Sequence, residues 1–590
     1  MVDPETLDPE KKARIREQGM AALEEGIVPL PASLYMDCRR TGNRFRFEKL
    51  YYRRRILLSR MMKAWLSGEE SPGLLDGIIN MLSTICDEWT WVIPAHNWPN
   101  DETGKALPPV DPPRVDLMAG NTATLMALTV YYLKDDLSLE ADRLMERVKR
   151  ECRRRCIDPY MKNDDHWWMG YTDHPEHGEL NNWTPWITDN FLHTLLLLEP
   201  GAEEFKRAVI RSTEILNHYL DVLPPDGGCD EGAIYWDHAA GSLFGCLDLL
   251  DFVSGGSCGL MDDPFLKDAA SYIHRVHIKG NLYANFADCP GVLDQMPFGL
   301  MYRMGCRLDD PELRSLAAEL AEIPEDREMY EEAFSPHREF RNLLYPVKKE
   351  NDAALPGAAG GSDVFPHTRV FIHKEKDLFV ACKGGHNAES HNHNDIGQFM
   401  YYWKGQPGII DPGVGEYTMN TFNHMRYTIW TMQSGWHNLP VVNGREQKEG
   451  AAFKSSRFET GDAFCRVGME TAYPEEAGIR TWDRDLSITR EELTVQDTWE
   501  FKGGGNRVSW HFLCLDKPEI SEGSIQIPLK EGQIILSFPG DKLQGTLDFQ
   551  EVPEDDGKMG AWGRDRIWRI CLEGSDLPAA GSMEFRITGR

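Results

Sequence analysis

Nowhere does the sequence approach the ~20 consecutive apolar residues that a membrane-spanning helix needs. Its N-terminus, MVDPETLDPEKKARIREQGM, also lacks the apolar stretch of a secretory signal. The first absence excludes a bundle of membrane helices, and the second predicts a protein that stays in the cytoplasm. Cysteine is too sparse and scattered for a disulfide scaffold: the thirteen residues are an odd number, and Cys152 and Cys156 are the nearest pair. Basic charge is in deficit, Lys+Arg 64 against Asp+Glu 94, which leaves a formal net charge of −30. Such a field repels phosphate backbones and anionic lipid, so nucleic acid and membrane surfaces are disfavoured as partners. Low-complexity tails and obvious internal repeats are absent as well.

What is present is an ordinary globular composition, 41% hydrophobic, with enough apolar surface for cores, in a chain of 590 residues that is too long for a single one. From about Arg46 to about Arg341, segments such as LYYRRRILLSRMMKAWL and FKRAVIRSTEILNHYLDVL repeat apolar residues every three or four positions, giving about ten to twelve candidate helices. Paired helices of comparable length suit a toroid of helical hairpins. Loops heavy in Pro, Gly, Asn and Trp separate them and are free to carry function. The composition then changes through KKENDAALPGAAGGSD, which reads as a domain edge. TRVFIH, LFVACK, QFMYYW, RVSWHFLCL, SIQIPL and IILSF follow, short β-branched and aromatic runs bounded by turn residues. The expected class is α+β and multidomain: an (α/α) toroid over residues 1–345, then an antiparallel β-sandwich over 346–590.

The densest chemistry lies in Ser390-His391-Asn392-His393-Asn394-Asp395. Alternate residues of an extended segment share a face, so both histidines are expected to reach one site. Asp411, in GIIDPG, and His437, in WHNLP, follow before further strand-like runs. Two imidazoles and a carboxylate make a plausible three-ligand zinc set. A lone HxH is a weak signal for metal; what strengthens it here is the surrounding Asn392, Asn394, Asp395 and Asn438, side chains able to fix imidazole tautomers.

HNHNDIGQF, IIDPGVGEY and WHNLPVVNG together resemble the signature of heparinase II/III-like polysaccharide lyases, and helices followed by strands match that family's toroid joined to a sandwich. The resemblance implies that His391 is catalytic and that His393, Asp411 and His437 hold one structural zinc ion. In the helical part, Asn181-Asn182-Trp183 resembles the family's asparagine-bearing catalytic motif. Asp226-Gly-Gly-Cys-Asp-Glu231-Gly-Ala-Ile-Tyr235 resembles its segment ending in a catalytic tyrosine. Taken alone, these two stretches read rather as a capping turn and an inter-helix loop.

The implied reaction is β-elimination on an acidic, uronate-containing glycan: the C5 proton leaves, the C4–O bond breaks and a C4=C5 double bond forms. Abstraction beside a carboxylate needs that carboxylate neutralised, work suited to Asn181 or Asn182, whose amide donates without ionising. His391 and Tyr235 are the proton carriers. Tyr235 serves as base and then acid where proton and leaving oxygen lie on one side; His391 is the base where they lie on opposite sides. Glu231, Trp89, His96, Asn97, Trp183 and Arg426 are candidate substrate contacts, through apolar faces, polar edges or an ion pair. The expected lack of export favours oligosaccharides over long polymers, and the charge of −30 disfavours dense sulfation. Whether the glycan is glycosaminoglycan-like or alginate-like, and whether the chain self-associates, stays open. The alternatives are a zinc hydrolase using His393, Asp411 and His437, a carboxylate-pair glycosidase, and a carbohydrate-binding protein without turnover.

Overall fold

The computed structural model describes residues 9–97, 105–173, 179–293, 296–322, 334–345, 347–348, 360–418, 420–554 and 556–590. Most of the expected domain edge, residues 349–359, lies outside these. Helices dominate the described residues from Pro9 to Leu344, and antiparallel strands dominate from Gly361 to Gly589. The α+β class and the order helices-then-strands are as the sequence implied.

In the helical half, Leu117–Tyr132 is buried continuously from Leu117 to Val130, and Trp183–Leu197 is buried from Thr184 to Leu195. Helices apolar on every side belong inside a bundle. These two pack on each other, and Trp183–Leu197 packs in turn on Trp236–Val253 and on the amphipathic Ala202–Leu220, which keeps one wet face. Helix starts are set by carboxylates: Asp116 accepts from the Ala119 N–H, and Asp263 and Asp310 cap helices that begin Pro264 and Pro311.

The strands form three main sheets of five, eight and four strands. The five-stranded sheet, Gly361–Phe365, Val370–Glu375, Leu378–Lys383, Phe399–Trp403 and Gln406–Ile409, is the middle layer. Its three inner strands are buried on both faces because alternate residues serve two cores. Phe371, Val380, Phe399 and Tyr401 meet Trp482, Val495 and Phe585 of the eight-stranded sheet. Ile372, Ala381, Met400 and Tyr402 meet Trp236, Phe244, Ile273 and Leu300 of the helices. The runs singled out in the sequence all contribute strands. Ile479–Ile488 and Glu492–Phe501 were not among them; outward Asp483 and Asp485 alternate with inward Trp482 and Leu486, and the inward face also holds the buried ion pair of Arg484 with Asp497.

Candidate active site

The helical half brings three loops to one place. Asn182 begins the helix Trp183–Leu197; Glu231 and Tyr235 lie in the turn before Trp236–Val253; Asp288 follows the short hairpin of His277–Lys279 with Leu282–Tyr283. Gly232 is what lets the second and third loops meet. Its φ is 92°, and a side chain there would stand 2.5 Å from the Phe286 carbonyl oxygen. Asn182 donates its Nδ2 hydrogen bond to Glu231 Oε2.

From the β half, the segment around His391 reaches into the same place, although not as the extended strand the sequence suggested. Residues 388–398 are turns, and His391 has a φ of 56°. Both histidines nevertheless converge, on the two oxygens of one carboxylate: His391 Nδ1 lies 2.7 Å from Asp288 Oδ2 and His393 Nε2 lies 3.1 Å from Oδ1. The other nitrogen of His391 lies 3.2 Å from Glu231 Oε2. Arg426 Nη2 donates to Asp288 Oδ1 at 2.6 Å, and Tyr417 donates to Oδ2 at 3.2 Å. Tyr235 and Tyr417 join hydroxyl to hydroxyl at 2.5 Å, and the Tyr235 ring stacks on His391 with centroids 4.3 Å apart. Lys558 covers the opposite partner, its Nζ 3.6 Å from the Tyr417 ring centroid.

Asp288 is therefore the hub. Burial alone would raise its carboxyl, but the Arg426 guanidinium and the imidazoles outweigh burial and hold it well below the usual carboxylate range. For His391 burial works against the charged ring, while the flanking Asp288 and Glu231 carboxylates lift it to about 9. Tyr235 moves up instead, through burial and then the Asp288 charge. In this state His391 is an imidazolium with both nitrogens engaged and Tyr235 is a neutral phenol. The His391 side chain is 12% exposed and Tyr235 is half-buried, so both stay reachable from solvent. Nothing in the sequence marked Asp288, Tyr417 or Lys558. Tyr417 closes the IIDPGVGEY segment, whereas Asp288, in a loop, and Lys558, in the short helix Gly557–Gly560, stand without a local pattern.

Beside this cluster His393, Asp411 and His437 are buried, each with a ligand atom within 4.8 Å of the others. Asp411 Oδ2 accepts from Gln398 Nε2 at 2.8 Å and lies 2.8 Å from His437 Nδ1, while His393 is held through Nε2. That leaves His393 Nδ1 and His437 Nε2 buried without a hydrogen-bond partner. Two imidazoles oriented through one nitrogen, each with the other nitrogen bare, suit a zinc ion. Gly413, at φ 73°, lets this loop approach the Cys289 carbonyl oxygen to a distance no side chain would allow.

The remaining sequence candidates are dispersed. Asn181 turns away from the cluster, its Oδ1 accepting from Trp183 N at 3.1 Å. His96 Nδ1 is tied to Asp116 Oδ2 at 2.7 Å, and its ring lies 4.6 Å from Trp183, so these two border Asn182. Asn97 is buried, while Trp89 is 54% exposed and donates to the Pro108 carbonyl. Arg426 is spent on Asp288, Asn392 O and Thr421 O.

Residues 358–558 match the sequence model of the family described as heparinase II/III-like, C-terminal. The chain carries a heparinase II/III-like C-terminal domain. No curated protein matches the sequence. Solved structures extend the likeness to both halves. A heparinase III is 12% identical with a TM-score of 0.66, over 99% of this chain and 84% of its own. A heparan sulfate lyase mutant from Pedobacter heparinus is 11% identical with a TM-score of 0.59, over 91% of this chain and 76% of its own. A chondroitin AC lyase from Streptomyces coelicolor, solved with chondroitin sulphate, is 10% identical with a TM-score of 0.56, over 99% and 80%. At these identities the likeness is one of fold: helices ahead of a heparinase II/III-like domain in the same arrangement.

Proposed function

We propose that this protein is a polysaccharide or oligosaccharide lyase that cleaves an acidic, uronate-containing glycan by β-elimination. The observation that carries the reading is the meeting of Tyr235, Asn182 and His391, contributed by both halves, around the Asp288 carboxylate. The fold relatives named for heparan sulfate and chondroitin sulphate support an acidic glycan as substrate.

The uronate carboxylate must be neutralised before its neighbouring C5 proton becomes acidic. Asn182 commits one amide hydrogen to Glu231, so the second is free to donate to the substrate. His391 lacks a free lone pair, because both nitrogens face carboxylates. It acts as a fixed cation beside the reacting carbons, stacked on the Tyr235 ring, whose ionisation burial and the Asp288 charge oppose. With its own phenolic proton first released to solvent, Tyr235 takes the C5 proton as a tyrosinate and returns it to the C4 oxygen as the bond breaks; as the phenol it donates to Tyr417, which in turn donates to Asp288. Of the two routes open from the sequence, the one with tyrosine as base and then acid is the one this geometry favours. Trp183 and the 56% exposed Phe422, whose ring lies 5.8 Å from that of His391, offer faces for sugar rings on either side. A zinc ion held by His393, Asp411 and His437 would supply fixed positive charge that draws three loops of the domain together.

Ultraviolet absorbance during incubation with heparan, chondroitin, hyaluronan and alginate oligosaccharides tests the reading, with product masses measured alongside. The expected result is a rising conjugated-uronate signal with no water added to the products. Water-added, saturated products would overturn elimination in favour of hydrolysis.

A further inference from the structure

A second set of buried ligand-type side chains lies in the helical half, apart from the cluster around Asp288. Asp189 and His193 are one turn apart on Trp183–Leu197 and so share a face; His337 opens the helix Pro336–Leu344. Each offers a ligand atom within 4.8 Å of the others. Their exposures are 0%, 7% and 4%. The imidazoles stack with centroids 4.1 Å apart.

The hydrogen bonding of this set does not close. His193 Nδ1 lies 2.9 Å from the Asp189 backbone carbonyl, to which it donates, and this fixes the tautomer with a bare lone pair on Nε2. That Nε2 has no partner, nor has either nitrogen of His337, nor either carboxylate oxygen of Asp189. The oxygens lie 3.0 Å from His193 Nδ1 and 3.1 Å from His337 Nε2, close contacts that lack hydrogen-bond geometry. Ligands around a tetrahedral zinc ion, with bonds of ~2.0 Å, stand roughly 3.3 Å from one another, close to the separation of Asp189 Oδ2 and His337 Nε2, while His193 would join the set through its bare Nε2. Arg338 Nη2 is 3.5 Å from Asp189 Oδ2, but its hydrogen bonds go to Ser242 Oγ and the Asp237 carbonyl, so it screens the carboxylate without satisfying it. Across the gap the neighbouring helix carries Gly245, where a side chain would stand 2.6 Å from both Asp189 oxygens. Asp411 differs, since both its oxygens accept true hydrogen bonds. Buried lone pairs left unmet are costly, and a divalent cation meets those of all three residues at once.

We propose that Asp189, His193 and His337 bind a transition-metal ion of the zinc class, which pins the helix Pro336–Leu344 against Trp183–Leu197. The test is zinc bound per chain after dialysis of the full-length protein, read on wild type, on Asp189→Asn, which keeps the side-chain volume, and on His193→Gln. One equivalent should be lost in each variant, and the zinc-dependent rise in thermal midpoint should shrink with it. Should both variants misfold, cobalt titration of the metal-stripped His393→Ala/His437→Ala protein decides, because it leaves the helical set intact: one equivalent should develop the visible bands of tetrahedral cobalt. Unchanged zinc in a folded variant, or a cobalt titration without those bands, overturns the site.

Discussion

The two halves bring opposite things to the cluster around Asp288. The helical half contributes carboxylates and neutral donors: Glu231, Asp288, Asn182 and Tyr235. The β half contributes the cations Arg426, His391 and Lys558, with Tyr417 among them. Neither half is electrically satisfied alone: Asp288 would be a buried anion without a counter-charge, and Arg426 a buried cation without one. Docking of the halves and assembly of the site are thus one event. An interface that would otherwise be a passive seam becomes the place where chemistry is concentrated.

The strongest way to break this complementarity is Asp288→Ala. It leaves Arg426, His391 and His393 facing one another, and loss of one partner from a buried ion pair costs about 3–5 kcal/mol. Denaturant unfolding should show that loss, and turnover should disappear with it; a stable, active variant would sink the hub. Tyr235→Phe separates chemistry from docking. Removal of a proton carrier lowers turnover by ~10²–10⁴-fold, while glycan binding, followed by calorimetry, and the unfolding midpoint stay near wild type. Wild-type turnover would remove Tyr235 from the mechanism. For the β half alone, His393→Ala should lose one of the two zinc equivalents and lower the thermal midpoint, with chelation of wild type lowering it at least as far; unchanged zinc content would refute the ligand set.

Acid tests both halves together. His277, half-buried in the helical half, and His511, buried in the β half, are neutral, with desolvation lowering each to about 4. Their unfolded value is ~6.5, so between these limits the unfolded chain binds more protons and stability falls as pH falls. The loss is roughly 2 kcal/mol for each group at pH 5; if His277→Asn and His511→Asn leave the acid slope of the unfolding free energy unchanged, the assignment fails. The smallest effect is expected from Tyr417→Phe. It deletes one hydroxyl partner of Tyr235 and one donor to Asp288, a loss of about tenfold in turnover at about 1.4 kcal/mol. A loss as large as that of Tyr235→Phe would make Tyr417 a proton carrier in its own right.

What could be read from the sequence, and what could not, follows from where each residue's signal resides. Asn182, Glu231, Tyr235 and His391 sit in segments dense with unusual neighbours, and the structure gathers all four. Asp288 and Lys558 have no such neighbourhood, since their importance arises only when loops distant in sequence meet. The histidine pair shows a subtler failure. Period-two reasoning placed both rings on one side of a strand, yet a left-handed residue at His391 turns the segment, and the two rings meet because one carboxylate has two oxygens. Trp89 and Asn97 show the converse: a loop rich in Trp, Asn and Pro looks functional, but Asn97 is buried away from the cluster and Trp89 lies out on the surface. The middle sheet was legible because burial on both faces demands unbroken apolar runs.

The short helix Gly557–Gly560 lies far down the chain from Tyr235, yet its neighbourhood finishes that cluster. Asp556 Oδ2 accepts from the Glu416 N–H at 3.0 Å, Trp562 Nε1 donates to the Pro412 carbonyl at 3.1 Å, and Lys558 sits over Tyr417. During synthesis the helical half emerges first, exposing carboxylates whose counter-charges have not yet been made. The site is then complete only once the ribosome has passed Trp562, and a chain ending before that point lacks the hydrogen bond from Trp562 to the Pro412 carbonyl.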